Sequence, residues 1–269
     1  IGAATARAAV AAGWNVALFA RSADKLSVLS DELGDKALVV SGDLTQRGSR
    51  NEFRKAREWI DSLNLPAIVV PGNHDTPLLH AAHRVLRPFN RYREYFGDLT
   101  RPLDAGAVRL LPLNTSRGWQ TRANWAEGSV NLGHLDEMIS QAETEEKIPI
   151  LVCHHPFTPF AGAGLRTRTR RGDAASARLA ESRIQLLMTG HVHTPHVERI
   201  QSPSGQYMAV SAGTLSLRLR ASPPGFNVID VDMSGMTVVP FSFEEDAFSA
   251  LPGQRFEWTS TEPAASGMD

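Results

Sequence analysis

Five side chains of types that commonly bind metal ions follow short apolar stretches of this sequence. They are a carboxylate, a carboxamide and three imidazoles: Asp43, Asn73, His154, His191 and His193. Oxygen and nitrogen donors in this mixture suit borderline or hard divalent ions such as Mn, Fe, Zn or Co. A glycine precedes Asp43, Asn73 and His191, so the backbone can turn sharply and present the ligand. The sequence therefore predicts a metal centre.

Two further residues beside this set indicate proton transfer. His74 directly follows Asn73, and Asp75 follows His74. Two metal ions that share the Asp43 carboxylate can polarise a phosphoryl group and ionise a water molecule for in-line attack. We expect His74 to donate a proton to the leaving oxygen and Asp75 to orient the imidazole ring.

Apolar runs before each of these groups predict the elements that position them. The runs lie at 36–40, 67–70, 148–152 and 184–188. Continuous apolar strands are typical of sheets covered on both faces, and functional groups in α/β sheets collect beyond the carboxyl ends of the strands. We therefore expect the four strand ends to meet at one edge.

The remaining pattern indicates an α/β fold in which two sheets pack face to face with helices outside. Ser49 and Glu52 form a capping-box pattern that predicts the start of a helix. The chain after Glu244 has too little apolar periodicity for us to assign an element. Four strands are expected beyond His193, at 197–200, 207–212, 226–232 and 236–243.

Composition excludes several classes of protein. The chain has 269 residues, 42% of them hydrophobic, and a net charge of −1, so no global field attracts it to nucleic acid or to a membrane. No apolar run approaches the ~20 residues of a membrane span. The single cysteine, Cys153, excludes an internal disulfide and fits a reducing compartment. We expect a cytoplasmic protein with a small-molecule partner and neither a nucleic-acid polymer nor a membrane as partner; its oligomeric state stays open.

The first part of the chain resembles a short-chain dehydrogenase. Residues 1–7 and 13–22 are similar to the start of that family, entered inside its glycine-rich turn. The resemblance implies a Rossmann-like αβαβ segment at 1–42 that supplies the first strands of the main sheet, with Arg21 at a place where the family often holds the 2′-phosphate of NADP. The family's Tyr-x-x-x-Lys motif is absent. An NADP-dependent oxidoreductase remnant is therefore an alternative function.

Residues 41–243 resemble the calcineurin-like metallophosphoesterases. The match is carried by Gly42-Asp43, Gly72-Asn73-His74-Asp75, His154-His155-Pro156 and Gly190-His191-Val192-His193. Asn114-Thr115 and Ala212-Gly213-Thr214 are similar to the bacterial branch that includes class III cyclic-nucleotide phosphodiesterases.

The second resemblance implies a four-layer αββα sandwich that holds two metal ions. Asp43 would bridge the ions. Asn73, His154 and His191 would bind one of them, and His193 would bind the other. By its place in the motif, His154 is preferred to His155 as the ligand. The implied domains are 1–42, a metallophosphoesterase domain at 43–245 and a tail at 246–269.

One motif of that family has no counterpart in this chain. The family opens with Asp-x-His after its first strand, and no Asp-x-His occurs here. If 15–20 is that strand, the ligand positions fall near Ala20, Arg21 and Ser22. We therefore expect one firmly bound ion, a weak second site and impaired hydrolysis of a phosphodiester or phosphomonoester. A catalytically inactive metal-binding protein is the alternative, and the chain could be a natural fusion, an engineered chimera or a sequence artefact.

Overall fold

Two β-sheets and the helices that cover them form the part of the chain that this computed structural model describes. The described residues are 36–78, 81–120, 124–160, 168–215, 222–245 and 247–258. No helix among them is long and apolar enough to cross a membrane.

The elements alternate between helix and strand in the first two thirds and are strands in the last third. The helices are α1 Arg50–Ser62, α2 Ala81–Leu86, α3 Asn90–Phe96, α4 Leu132–Glu143 and α5 Gly172–Ala180, with a 3-10 turn at Asn73–Asp75. The strands are β1 Leu38–Val40, β2 Ala67–Val69, β3 Leu103–Ala105, β4 Val108–Leu113, β5 Gly128–Ser129, β6 Ile148–Cys153, β7 Thr169–Arg170, β8 Leu186–Thr189, β9 His196–Ser202, β10 Gly205–Ser211, β11 Gly225–Asp232, β12 Gly235–Glu244, β13 Ala247–Ala250 and β14 Gln254–Glu257.

The larger sheet has six strands in the order β3-β4-β6-β8-β10-β9. Strands β4, β6, β8 and β10 run parallel, so their carboxyl ends share one edge. His154 follows β6 directly, and Gly190-His191 follows β8. The sheet therefore brings these two histidines together, as the sequence predicts.

The second layer contains two smaller groups of strands. β1 and β2 form a parallel pair, and β11–β14 form an antiparallel group around β12. The pair and the group contribute to the same apolar clusters. Leu38 packs with Val228, and the neighbouring Val39 belongs to a cluster with Ile229. Since neighbouring strand residues point to opposite faces, both groups belong to one layer.

Apolar contacts define four layers. Ile68 and Val70 face Leu110 and Ile150 between the two sheets. Residues of α4 and α5 cover the outer face of the larger sheet, and α1 covers the outer face of the second layer through Ile60. The order helix, sheet, sheet, helix is the αββα arrangement, so the fold predicted from the sequence is confirmed.

Helix α1 begins as its capping box predicts. The Ser49 hydroxyl accepts from the Glu52 N–H, and the Glu52 carboxylate accepts from the Ser49 N–H. Phe53, on the buried face of the helix, packs against Tyr92 of α3 with ring centroids 6.3 Å apart. The helix is therefore held at both its N-terminus and its apolar face, close to the loop that carries Asp43.

The chain after Glu244 differs from the sequence prediction. We assigned no element there, yet β13 and β14 both pair with β12. These strands are four residues each, and their side chains are mostly exposed, so they lack the apolar alternation of a covered strand. Residues 1–35 of the expected Rossmann-like segment lie outside the described residues, and so does the end of the chain after residue 258. The described remainder of that segment contains β1.

Candidate metal centre

Four of the five predicted ligands come together at the edge where the two sheets meet. They lie in the loops after four different strands, β1, β2, β6 and β8, in that order: Asp43, Asn73, His154 and His191. His154, His191 and Asn73 are buried, with 1%, 7% and 8% of their surface exposed. Residues far apart in sequence thus form one buried polar cluster.

The Nε2 atom of His154 is the centre of the cluster. Asn73 Oδ1 lies 3.3 Å from it, and His191 Nδ1 lies 3.2 Å from it. The Asp43 carboxylate oxygen lies at 3.5 Å. Three potential donor atoms, one from each of three other loops, therefore surround a single imidazole nitrogen.

The hydrogen bond on the other side of the His154 ring fixes its tautomer. Nδ1 lies 2.6 Å from the Ser41 carbonyl oxygen, which can only accept, so Nδ1 carries the proton and donates it. In the neutral ring, Nε2 then presents a lone pair toward Asn73 Oδ1 and the Asp43 carboxylate. Acceptor atoms this close repel one another unless a cation lies between them.

The spacing of these atoms fits a divalent cation. Bonds of about 2.1 Å that subtend about 90–109° at an ion place neighbouring donor atoms about 3.0–3.4 Å apart. The separations around His154 Nε2 are 3.2 and 3.3 Å, within this range, and 3.5 Å to the Asp43 carboxylate, just above it. The residues present therefore match a metal centre in both donor chemistry and separation.

His155 belongs to the same histidine cluster but has different contacts. Ligand nitrogens of His154, His155 and His191 all lie within 4.8 Å of one another, so proximity alone would make His155 a ligand too. Its Nε2–H, however, donates to the Ala126 carbonyl at 3.0 Å, and its Nδ1 lies 2.9 Å from the Thr115 hydroxyl. Burial, above all, lowers the pKa of His155 well below its usual value. Both ring nitrogens of His155 are thus engaged by other protein groups, unlike Nε2 of His154.

Asp43 lies in an environment that keeps its carboxylate charged. Burial favours the neutral acid, but the interaction with the His154 ring and a hydrogen bond from the His74 backbone N–H outweigh it, and the pKa of Asp43 is lowered. That N–H lies 3.0 Å from Asp43 Oδ1. The cluster therefore carries the negative charge that a divalent cation requires.

Backbone strain is concentrated at the predicted ligands. Among the described residues, six that are not glycine have positive φ, and three of these are Asp43, His191 and His193, at 56°, 68° and 61°. Such conformations are unfavourable for residues with a Cβ and are kept mainly at functional sites. The strain is an independent sign that these loops position side chains for a task.

Two glycines of the motifs allow the loops to approach each other. Gly42 has a φ of 100°, and a Cβ there would lie 2.5 Å from His154 Nδ1. A Cβ at Gly72 would overlap Asp43 Oδ1. Any side chain at these positions would push ligand residues out of place.

Asp75 has a different role from the one predicted. Its buried carboxylate accepts from the backbone N–H groups of Gly72, Leu44 and Thr45, at 2.8, 3.3 and 2.9 Å. These bonds tie the loop that carries Asn73 to the loop that carries Asp43. Burial and the nearby Asp43 charge raise the pKa of Asp75 above its usual value.

The ring of His74 is held by a carbonyl group. Its Nδ1 lies 3.0 Å from the Gln46 carbonyl oxygen, so this contact, in place of the expected bond from Asp75, sets the ring orientation. His74 and His193 both line a cavity of about 1050 Å³ that also reaches Asp43. Asp43, Asn73 and His191 each lie close to the His154 ring, whereas His193 lines the wall of the cavity.

Sequence reasoning missed the groups that orient these ligands. Ser41 and Gln46 act through backbone carbonyls, which no residue type reveals. Thr45 is buried, and its hydroxyl lies 3.0 Å from both the His74 carbonyl and Asp75 Oδ1 and accepts from the Gly48 N–H at 3.1 Å. The one sequence feature that could have indicated this role of Thr45 is its position two residues after Asp43.

A four-layer sandwich with carboxylate, amide and imidazole donors at the meeting edge of its sheets defines a class of metal-dependent phosphoesterases. The model of the calcineurin-like phosphoesterase family matches residues 16–195, which is more than half of the chain. The chain belongs to this family.

Two curated relatives and one solved structure are similar to the chain. A protein named as a probable cyclic nucleotide phosphodiesterase, from a Synechococcus species, is 23% identical over 60% of this chain and 59% of its own length. A glycerophosphodiester phosphodiesterase from Enterobacter lignolyticus is 27% identical over 47% of this chain and 44% of its own. The chain thus spans about half the length of these relatives. A dimetal phosphatase from Danio rerio has the same fold, with a TM-score of 0.59, 14% identity and 88% coverage of both chains.

The family match also bears on the start of the chain. It begins at residue 16, inside the segment that resembles a short-chain dehydrogenase. None of the proteins named above supports that resemblance, whereas all of them support the metallophosphoesterase assignment.

Proposed function

We propose that the protein is a metal-dependent phosphoesterase that hydrolyses a small phosphodiester or phosphomonoester. The observation that carries the proposal is the group of donor atoms 3.2–3.5 Å from His154 Nε2. The phosphodiesterase names of the two curated relatives support the same substrate class.

Each residue of the centre has a separate task in this proposal. Asp43, Asn73, His154 and His191 hold a divalent cation. A bound cation would supply Lewis acidity that activates water and polarises the phosphoryl group. Ser41 keeps the lone pair of His154 Nε2 directed at the ion by accepting the Nδ1 proton.

His74 is proposed to protonate the leaving oxygen. Its ring is fixed by the bond between Nδ1 and the Gln46 carbonyl, so Nε2 is the atom that exchanges a proton with the substrate. Asp75 acts as a positioning residue that keeps the Asn73 and Asp43 loops together through the backbone N–H groups it binds.

One ion is expected to bind firmly and a second weakly. Four of the donors converge, but only His193 and the shared Asp43 would serve a second position, because the sequence has no Asp-x-His. A site with two protein donors retains an ion poorly. Hydrolysis is therefore expected to be slower than with two tightly bound ions.

Hydrolysis of two esters with added Mn²⁺ tests the proposal. Bis-p-nitrophenyl phosphate has a leaving group that departs without protonation at neutral pH, whereas a dialkyl phosphate has one that requires a proton. His74→Ala should slow the dialkyl ester by about 100-fold or more and the nitrophenyl ester far less. Equal losses with both esters would exclude His74 as the proton donor.

Metal analysis of the same samples separates an enzyme from an inactive metal-binding protein. Asn73→Ala should lower both the bound metal and the hydrolysis of both esters. Wild-type protein that retains one ion per chain and hydrolyses neither ester would support the inactive alternative. His134→Ala, which removes a histidine from α4 away from the centre, serves as the matched control and should change neither quantity.

A further inference from the structure

Two segments that begin at the metal centre carry most of the exposed apolar side chains. Among the described residues, nine large hydrophobic side chains are exposed, and five of them lie in these segments: Leu78, Val85, Leu86, Trp119 and Trp125. The first segment follows the turn at Asn73–Asp75, and the second follows the carboxyl end of β4. Exposed apolar groups that gather beside a functional site are typical of a binding surface.

Hydrogen bonds hold the two segments side by side. The Ser116 hydroxyl donates to the Pro71 carbonyl at 2.8 Å, and Arg84 Nε donates to the Gly118 carbonyl, also at 2.8 Å. A Cβ at Gly118 would overlap the Arg84 carbonyl oxygen, so the two backbones touch at this point. The segments therefore leave the metal centre together.

Trp125 is linked to the metal centre through one side chain. The carbonyl of the next residue, Ala126, accepts from His155 Nε2–H at 3.0 Å. The His155 ring centroid lies 4.6 Å from that of His154 and 4.5 Å from that of His191. A single imidazole ring thus separates the backbone beside Trp125 from two of the proposed ligands.

The indole ring of Trp125 is supported on one face by a buried cation. The Arg84 guanidinium carbon lies 5.1 Å from the ring centroid, and Arg84 has only 4% of its surface exposed. A guanidinium in this position is attracted to the electron-rich face of the ring. Trp125 itself is 39% exposed, so the accessible part of the indole lies on the opposite face and the ring edges.

The turn that carries Trp125 is fixed by its own hydrogen bonds. The Asn124 carbonyl accepts from the Gln120 side chain at 2.7 Å and from the Glu127 N–H at 3.4 Å. The Asn124 side-chain oxygen accepts from the Ala126 N–H at 3.2 Å. A ring held in this way loses little conformational freedom when a ligand binds to it.

A fixed indole with an open face favours a planar aromatic ligand. Aromatic rings stack face to face with an offset, and every nucleobase has a π-face that can stack on a tryptophan. An aliphatic alcohol group lacks that face. The organic group of a phosphate ester bound at the metal centre would extend past the ligand loops, and the Trp125 surface begins at those loops.

We propose that Trp125 determines specificity by stacking on the planar ring of the ester that the metal centre hydrolyses, a ring of the nucleobase type. Arg84 is the positioning residue that supports the indole from the other face. This inference rests on the proposed function and assigns the substrate class within it.

Calorimetry on the Mn²⁺-loaded protein tests this inference without any measurement of activity. Adenosine 5′-monophosphate and ribose 5-phosphate share the sugar and the phosphate and differ in the base. The wild-type protein should bind the adenosine compound about 10-fold or more tightly than the ribose compound. In Trp125→Ala the two affinities should agree within about 2-fold, with the affinity for ribose 5-phosphate unchanged.

Two further variants separate stacking from a general effect on the fold. Trp125→Phe keeps an aromatic face and should retain most of the preference for the base. Trp119→Ala removes a tryptophan of the same segment that is 50% exposed, and it should leave both affinities unchanged. An unchanged affinity for ribose 5-phosphate in every variant shows that the metal centre is intact.

Each contrary result overturns the inference. Equal affinities in the wild-type protein, a preference that survives Trp125→Ala, or one that disappears only in Trp119→Ala would do so. A change of oligomeric state in Trp125→Ala with the preference intact would assign the ring to an interface between copies. Continued hydrolysis of both test esters would then leave the proposed function standing, whereas loss of hydrolysis and of phosphate binding in the wild-type protein would reject both.

Discussion

The two sides of the metal centre are built differently. On one side Asn73, His154 and His191 lie on loops that hydrogen bonds fix to one another, and their donor atoms already lie at separations that suit an ion. On the other side Asp43 and His193 line the cavity of about 1050 Å³. The first side is a preorganised set of proposed ligands, whereas the second has only His193 and the shared Asp43.

The proposed centre for one firmly bound ion rests on this difference. Metal affinity follows the number of donors and their preorganisation, and loss of donors on one side does not disturb the loops of the other. In this chain the fold, the strained loops and the His74 position are kept, while the sequence contains no Asp-x-His motif. Each of the following variants tests one side against the other.

The largest effect is expected for His154→Ala. This change removes the nitrogen around which three other donors lie, so affinity for Mn²⁺ measured by calorimetry should fall by at least about 100-fold. The neighbouring His155→Ala should lower thermal stability, because it removes the buried hydrogen bonds of the ring with the Thr115 hydroxyl and the Ala126 carbonyl, yet it should retain the ion. If His155→Ala loses the ion and His154→Ala keeps it, our ligand assignment is wrong.

A smaller and opposite effect is expected when the Asp-x-His motif that the chain lacks is restored. Ala20→Asp combined with Ser22→His adds an oxygen and a nitrogen donor at the positions that the family resemblance assigns to this motif. Metal analysis after dialysis should then rise from one ion per chain to two. The control pair Ala20→Asn with Ser22→Gln keeps similar size without the charge and the imidazole. An unchanged count of one in the Asp/His variant would place residues 20–22 away from the centre.

The smallest effect is expected at Thr45, which touches no proposed ligand atom directly. Thr45→Val removes the hydroxyl shared by His74, Asp75 and Gly48, so the free energy of unfolding should fall by about 1–3 kcal/mol. Mn²⁺ affinity should fall by no more than about 10-fold, because the loops lose one of several connections. Thr45→Ser should restore both values. A Val variant with wild-type stability and affinity would show that the hydroxyl does not brace the loops.

The sequence predicted the strand ends well because their signal is local and strong. An apolar run that ends at a polar group identifies β1, β2, β6 and β8, with a glycine before that group in all but β6, and the parallel order of the last two follows from the helix between them. β13 and β14 were missed because short, exposed strands at the edge of a sheet carry no apolar alternation.

Side-chain roles were harder to predict than ligand identity. Asp75 follows His74 in the sequence, so we predicted that it orients the His74 ring. A buried carboxylate next to several backbone N–H groups accepts hydrogen bonds from those groups instead. The Ser41 and Gln46 carbonyls accept hydrogen bonds from the rings of His154 and His74. The direction of a carbonyl group depends on tertiary structure, so the sequence does not reveal it. The preference for His154 over His155 as the proposed ligand is supported by the partners of both rings, which the sequence does not reveal.

Anomalous diffraction from crystals grown with Mn²⁺ tests the central claim most directly. The account predicts one strong peak within coordination distance of Asp43, Asn73, His154 Nε2 and His191, and weak or no density beside His193. Two peaks of full occupancy, or no peak among these four side chains, would contradict it.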